Sequence, residues 1–133
     1  MLEKVITVVK EVAQQVVMPR YLQVDRQLKS DGSFFTEADV AAQKALLHEL
    51  QKIYPAAVMG EEMTKQEQEE QWAKGKAGLW SVDPIDGTSN FLNGLPYFAI
   101  SVALMEQGRS VLGVIYNPVA DEMFYATKGG GAF

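Results

Sequence analysis

The chain has 133 residues, 47% hydrophobic and 22% charged, a composition that suits a single soluble globular domain with a sizeable core. Seventeen acidic against twelve basic residues leave a net charge of -5, which argues against a nucleic-acid polymer as partner; small phosphorylated metabolites stay open because a metal reverses the local field. The lack of cysteine excludes disulfides, iron-sulfur ligation and a thiol nucleophile and fits a cytoplasmic setting, while a single histidine, His48, excludes a His-rich zinc site and a Ser-His-Asp triad.

Residues 3–18 read as an amphipathic helix: Val5, Val9, Val12 and Val16, with Ile6, Ala13 and Val17, make one apolar face, and Lys4, Lys10, Glu11 and Gln14 lie off it. The opening residues do not form a signal h-region, and no apolar run approaches the roughly 18 residues of a membrane span, so neither secretion nor a membrane is expected. Pro19 falls near the helix end, with a kink and continuation through Leu28 as the alternative. Residues 29–33, K-S-D-G-S, read as a polar turn in which Lys29 is a solvated charge.

Thr36 opens a second helix as its N-cap, three residues before Asp39. Asp is a less usual reciprocal partner than Glu, so Asp39 is either a helix-start acid or a residue with a second duty. Ala38, Ala41, Ala42, Ala45, Leu46 and Leu50 form the buried stripe, and Tyr54-Pro55 ends the pattern. A short strand at 56–59 leads to Gly60-Glu61-Glu62, a carboxylate pair at a strand end that is either solvated surface or part of a site. Residues 63–78 are polar and read as a solvated helix or a mobile excursion, with Trp72 either anchored or on the surface.

A strand at 79–82 then carries Asp83 into the stretch W-S-V-D-P-I-D-G-T-S-N-F, residues 80–91. Asp83 and Asp86 flank Pro84, whose fixed torsion can aim the Ile85 carbonyl between them, an oxygen set suited to a hard divalent cation. Free N-H groups at Gly87, Thr88 and Ser89 can receive a phosphate oxygen. The competing reading is a capped turn, since D-P and D-G are common turn dipeptides. Beyond it, 90–95 reads as a short helix or turn before Pro96. Phe98, Ile100, Val102 and Leu104 alternate with Ala99, Ser101, Ala103 and Met105 as a strand. Residues 106–109 make a hairpin turn to a partner strand at 111–116, and 123–126 forms another. Lys128-Gly129-Gly130-Gly131 lacks the rest of a nucleotide-binding loop.

The run at 80–91, with V-M-G-E-E at 58–62, T-E-A-D at 36–39, G-L-P-Y-F-A-I-S-V-A-L at 94–104 and the terminal G-G-G-A-F, resembles the inositol monophosphatase family of metal-dependent, lithium-sensitive phosphatases. Family members are about twice as long, so the resemblance implies one N-terminal domain, 1–133, with the C-terminal half absent. The fold it implies is α+β, two helices packed on a largely antiparallel sheet. The activity it implies is hydrolysis of a small phosphate monoester such as inositol monophosphate, with 3'(2'),5'-bisphosphate nucleotidase, fructose-1,6-bisphosphatase or a non-catalytic metal-binding domain as alternatives.

By the same resemblance, Glu61, Asp83, the Ile85 carbonyl and Asp86 hold Mg2+, for which Mn2+ can substitute. Asp39 and Thr88 orient the attacking water, Glu62 helps hold the water shell, and Gly87, Thr88 and Ser89 bind the phosphate. A basic residue at the position of Lys29 reaches the metal-site acids. The segment Lys128-Gly129-Gly130-Gly131 is, by the resemblance, a flexible turn into a next strand, and the chain is expected to stop before that strand forms. Two departures stand out. The family's later Asp, in a W-D-x-x-A-G-like motif, is absent, and Asn93 stands near a place where many inositol-type members carry His or another basic residue. The partner is a second copy in a homodimer or the C-terminal half.

Overall fold

The computed structural model describes residues 1–22, 36–60 and 63–133 in full, and 27–28 and 34–35 by their backbone. Lys29 and the turn expected at 29–33 lie outside the described residues.

The first helix is α1, Leu2–Val12, which widens into a π-helical turn at Ala13–Val17 and ends in a 3-10 turn at Met18–Arg20. Pro19 accounts for the change: it lacks the N-H that would bond one turn back, and its ring crowds that carbonyl, so the turn ahead of it expands. The Arg20 guanidinium donates to the Val16 carbonyl at 3.0 Å, standing in for a lost helical donor, and its Nε lies 3.0 Å from both Glu37 carboxylate oxygens. The helical path stops there, with Tyr21 extended, rather than running on to Leu28. Gln27–Leu28 (β1) and Phe34–Phe35 (β2) pair antiparallel.

Helix α2, Glu37–Ile53, packs on α1 and the π-helical turn after it, and the small side chains of Ala38 and Ala42 on one side and Val5, Val9 and Ala13 on the other have no exposed surface. Close approach of the two helices follows from that lack of bulk. Both lie on one face of a six-stranded sheet: β3 Ala57–Gly60, β4 Leu79–Asp86, β5 Ala99–Glu106, β6 Arg109–Asn117, β7 Glu122–Thr127 and β8 Gly131–Ala132, in that order across the sheet. Among the described residues only β3 and β4 of this sheet are parallel, joined through α3, Lys65–Lys74; its other pairings are antiparallel, so the α+β reading holds. The short β8 corrects the expectation that the chain stops before another strand forms: Ala132 pairs with Ala126.

Alternation along the strands sends Val58, Trp80, Val82, Ile100, Val102, Leu104, Leu112, Val114 and Tyr116 toward the helices, where they form the core with Leu46 and Leu50. The Trp80 indole satisfies its N-H on the Tyr54 carbonyl at 2.8 Å, which ties the middle of β4 to the end of α2. The hairpin between β5 and β6 turns at Gln107 and Gly108, both at positive φ (52° and 73°), the left-handed pair that matches strand twist.

The polar stretch 63–78 holds α3, a helix with no buried residue, whose Gln71 accepts from the Val58 N-H at 3.1 Å and whose Gln68 donates to the Gly60 carbonyl at 3.0 Å. Its glutamines therefore cap the otherwise open edge of β3. Trp72 remains half exposed.

Candidate active site

The site begins at the N-terminus of α2. The Asp39 N-H donates to Thr36 Oγ1 at 3.2 Å, and Asp39 Oδ2 accepts from the Thr36 N-H at 2.8 Å and the Thr36 hydroxyl at 2.7 Å, a complete capping box. Both residues are fully buried. The second carboxylate oxygen of Asp39, Oδ1, accepts from Thr88 Oγ1 at 3.1 Å, across 49 positions of sequence. The cap alone would not require that contact. Thr88 Oγ1 also lies 3.0 Å from the Ile85 carbonyl and keeps 9% of its surface open. With its single proton shared toward those two acceptors, the hydroxyl keeps lone pairs for a donor arriving from solvent.

The two carboxylates of the D-P-I-D segment are brought to one face by an irregularity in β4. Asp83 pairs with Ser101 and Asp86 with Ala99, three steps on β4 against two on β5, with the register shift between them. In an unbroken strand residues three apart face opposite sides of the sheet; one extra residue restores the parity. Pro84 fits inside the strand because a bulge has no ladder bond for it to donate. The strand expected to end at Val82 thus runs on to Asp86, and the buried Ile85 anchors the bulge in the core.

Gly87 follows at φ 93°, and a Cβ there would sit 2.9 Å from the Tyr97 carbonyl, so glycine is required both by the torsion and by the close approach. It is the N-cap of α4, Thr88–Leu92, and Gly87, Thr88 and Ser89 sit together at the start of that helix. The amides of Asn90 and Asn93 donate to the carbonyls of Tyr97 (2.7 Å) and Ser89 (2.8 Å) and shape the loop beyond. Tyr21, Phe91 and Phe98 cluster with centroids 5.1 to 5.5 Å apart, Phe91 meeting Phe98 edge to face and Tyr21 tilted against both.

Glu61 and Glu62 lie outside the described residues. Their strand, β3, ends at Gly60, which pairs with Val82, the neighbour of Asp83. A cavity of about 220 Å³ opens on the sheet there, lined by Met59, Gly60, Gln68, Ser81, Asp83 and Ser101.

Among the described residues, no three His, Cys, Asp or Glu side chains gather as a metal cluster. The donors present are all oxygen: two carboxylates on one sheet face and a backbone carbonyl between them. Such a set fits a hard cation that keeps several waters, and it does not fit zinc or copper. His48 is exposed beside Glu49, 4.0 Å away, and takes no part. Nothing in the sequence marks Gln68 and Gln71 as partners of the β3 edge, because glutamines in a polar run carry no signal of such contacts.

The fold is that of the first half of an α+β phosphatase fold. The profile of the inositol monophosphatase family matches residues 1–133, and the chain belongs to that family. An inositol-1-monophosphatase of Rhizobium meliloti is 44% identical over 109 residues, covering 80% of this chain and 38% of its own. A protein of Pasteurella multocida named Nus factor SuhB is 38% identical over 106 residues, covering 79% of this chain and 38% of its own. Among solved structures, the Thermotoga maritima IMPase superposes with a TM-score of 0.86 at 36% identity, over 99% of this chain and 50% of its own. The chain thus spans half or less of the length of these relatives. No helix among the described residues is long and apolar enough to cross a membrane.

Proposed function

We propose that residues 1–133 act as the N-terminal domain of a Mg2+-dependent phosphomonoesterase of the cytoplasm, working on a small phosphorylated metabolite, with inositol monophosphate as first choice. Mn2+ serves as a substitute ion. The observation that carries this reading is the buried link from Thr36 through Asp39 to Thr88, set against the bulge that turns Asp83 and Asp86 to one side. Three donor contacts hold the Asp39 carboxylate in one orientation, so it can only accept. Thr88 gives its proton toward Asp39 and presents its oxygen outward, where it accepts from a water and aligns that water's lone pair with a phosphorus atom.

Asp83, Asp86 and the Ile85 carbonyl hold the cation, with Glu61 as a further ligand and Glu62 near the water shell. Bound there, Mg2+ supplies positive charge that neutralises the phosphate and makes water more acidic. N-H groups at Gly87, Thr88 and Ser89 receive phosphate oxygens. The relatives' extra length supports a C-terminal half that grips the alcohol portion, and a homodimer is the assembly we favour. Bisphosphate nucleotides and fructose 1,6-bisphosphate are the alternative substrates. A second reading, a non-catalytic interaction module, draws support from the relative named Nus factor SuhB.

The test is Mg2+-dependent phosphate release from inositol monophosphate by the complete protein, with Thr88→Ala beside it. The variant should lose about 100-fold or more in kcat, with Mg2+ affinity within a few-fold of the parent. Near-normal turnover in Thr88→Ala would reduce Thr88 to a helix cap.

A further inference from the structure

Gln43 sits on α2 one turn past Asp39, and its carboxamide lies flat against Gly60, the last residue of β3. A Cβ on Gly60 would stand 2.6 to 2.7 Å from all three atoms of that amide group, so the glycine leaves the space the amide fills. The backbone of Gly60 does not serve Gln43. Its N-H is directed to Met63 Sδ at 3.5 Å, and its carbonyl accepts from Gln68 Nε2 and from the Met63 N-H. Gln43 Oε1 is buried and accepts no hydrogen bond among the described residues. A folded chain keeps such an acceptor at a cost, and neither the helix nor the strand explains it.

Its location supplies an explanation. The amide is wedged between the helix that carries Asp39 and the strand end that pairs with Val82, next to Asp83. We propose that Gln43 is a positioning residue of the cation site: Oε1 accepts a hydrogen bond from a water of the bound ion's hydration shell. Mg2+ retains several waters whose polarised protons need acceptors, and partners beyond the direct ligands set much of a metal site's affinity. This inference rests on the metal-dependent reading above.

The experiment is a Mg2+ titration of thermal stability in the wild-type protein, Gln43→Met, Gly60→Ala and the double variant. Gln43→Met removes the buried acceptor at similar volume, so metal-free Tm should hold or rise, while the Mg2+ concentration for half-maximal stabilisation rises about tenfold. Gly60→Ala should raise that concentration too, because its methyl displaces the amide. The double variant should add nothing further, the non-additivity expected of two changes acting on one group. A conservative Gln43→Glu, which keeps the acceptor, should restore a midpoint within a few-fold of wild type. A wild-type response with an unchanged midpoint in Gln43→Met overturns the role of Gln43 alone. A wild type blind to Mg2+ overturns the metal reading and this inference with it.

Discussion

The two faces of the sheet are built from the same strands by the same alternation, yet they differ in what they carry. Toward the helices, Trp80, Tyr116 and the branched side chains between Val58 and Val114 form the buried core. On the other face the residues that pair across the strands from β4 to β8, Ser81, Ala103, Gly113, Ala126 and Ala132, are all small and form a continuous trough. Ile115 and Phe124 stand beside it, 47% and 52% exposed. Asp83 lies in the next row, paired with Ser101, which pairs in turn with Ile115 and so with Phe124. One face therefore holds the fold together, and the other combines apolar surface with Asp83 and Asp86. Stability and chemistry are separable by strand parity.

The largest effect that separates them should come from Trp80→Ala, which empties the centre of the covered face and strands the Tyr54 carbonyl. Denaturant unfolding should show a loss of about 3–5 kcal/mol. A loss under about 1 kcal/mol would mean that the helix-covered face is not where stability resides.

A smaller effect concerns how the helical cover is fastened. Tyr116, facing the helices, donates to Asp121 at 2.7 Å, and Asp121 lies 3.5 Å from Lys10 of α1. Burial, then the hydrogen bond and charge of Asp121, push the Tyr116 phenol up to about 12 from 10.0. Its raised folded pKa means that the folded state holds the proton longer, so this contribution is intact below pH 10 and is lost as pH rises toward 12. The Asp121 carboxyl is held below its ordinary value, first by the Tyr116 hydrogen bond and then by Lys10. Its contribution is present above the unfolded value of 3.8 and fades as pH falls through the lowered folded one. Tyr116→Phe should flatten both arms of a Tm against pH curve; unchanged arms would remove this network from the account.

The smallest stability change should come from the open face. Phe124→Ser should shift unfolding free energy by no more than about 0.5 kcal/mol, while lowering self-association of the isolated chain in sedimentation. A loss comparable to that of Trp80→Ala would show that Phe124 belongs to a packed core after all.

How much of this was legible beforehand depends on range. Strand alternation from Phe98 to Met105 and the Thr36 cap are local, and both read correctly because neighbours in sequence decide them. The contact from Thr88 to Asp39 came from family resemblance; no spacing rule reaches across 49 positions. The continuation of β4 through Pro84 is not legible in the sequence because proline argues against a strand, and only the partner strand β5 reveals that a bulge absorbs it. Gln43 gave no sign, since an interior amide in a helix reads the same whether it faces solvent or a glycine.

The bulge also sets how the chain can tolerate changes of length. From Leu79 to Val82 every residue is locked by pairing on both sides, so inserting or deleting one there would exchange core and site residues together. Between Asp83 and Asp86 the surplus residue is already present, and removing one would return the strand to regular pairing with both acids still on the same side. Such a shortened D-x-D segment would keep two carboxylates and lose the carbonyl set between them, which separates the number of ligands from their direction and makes the backbone's own share in ion binding measurable.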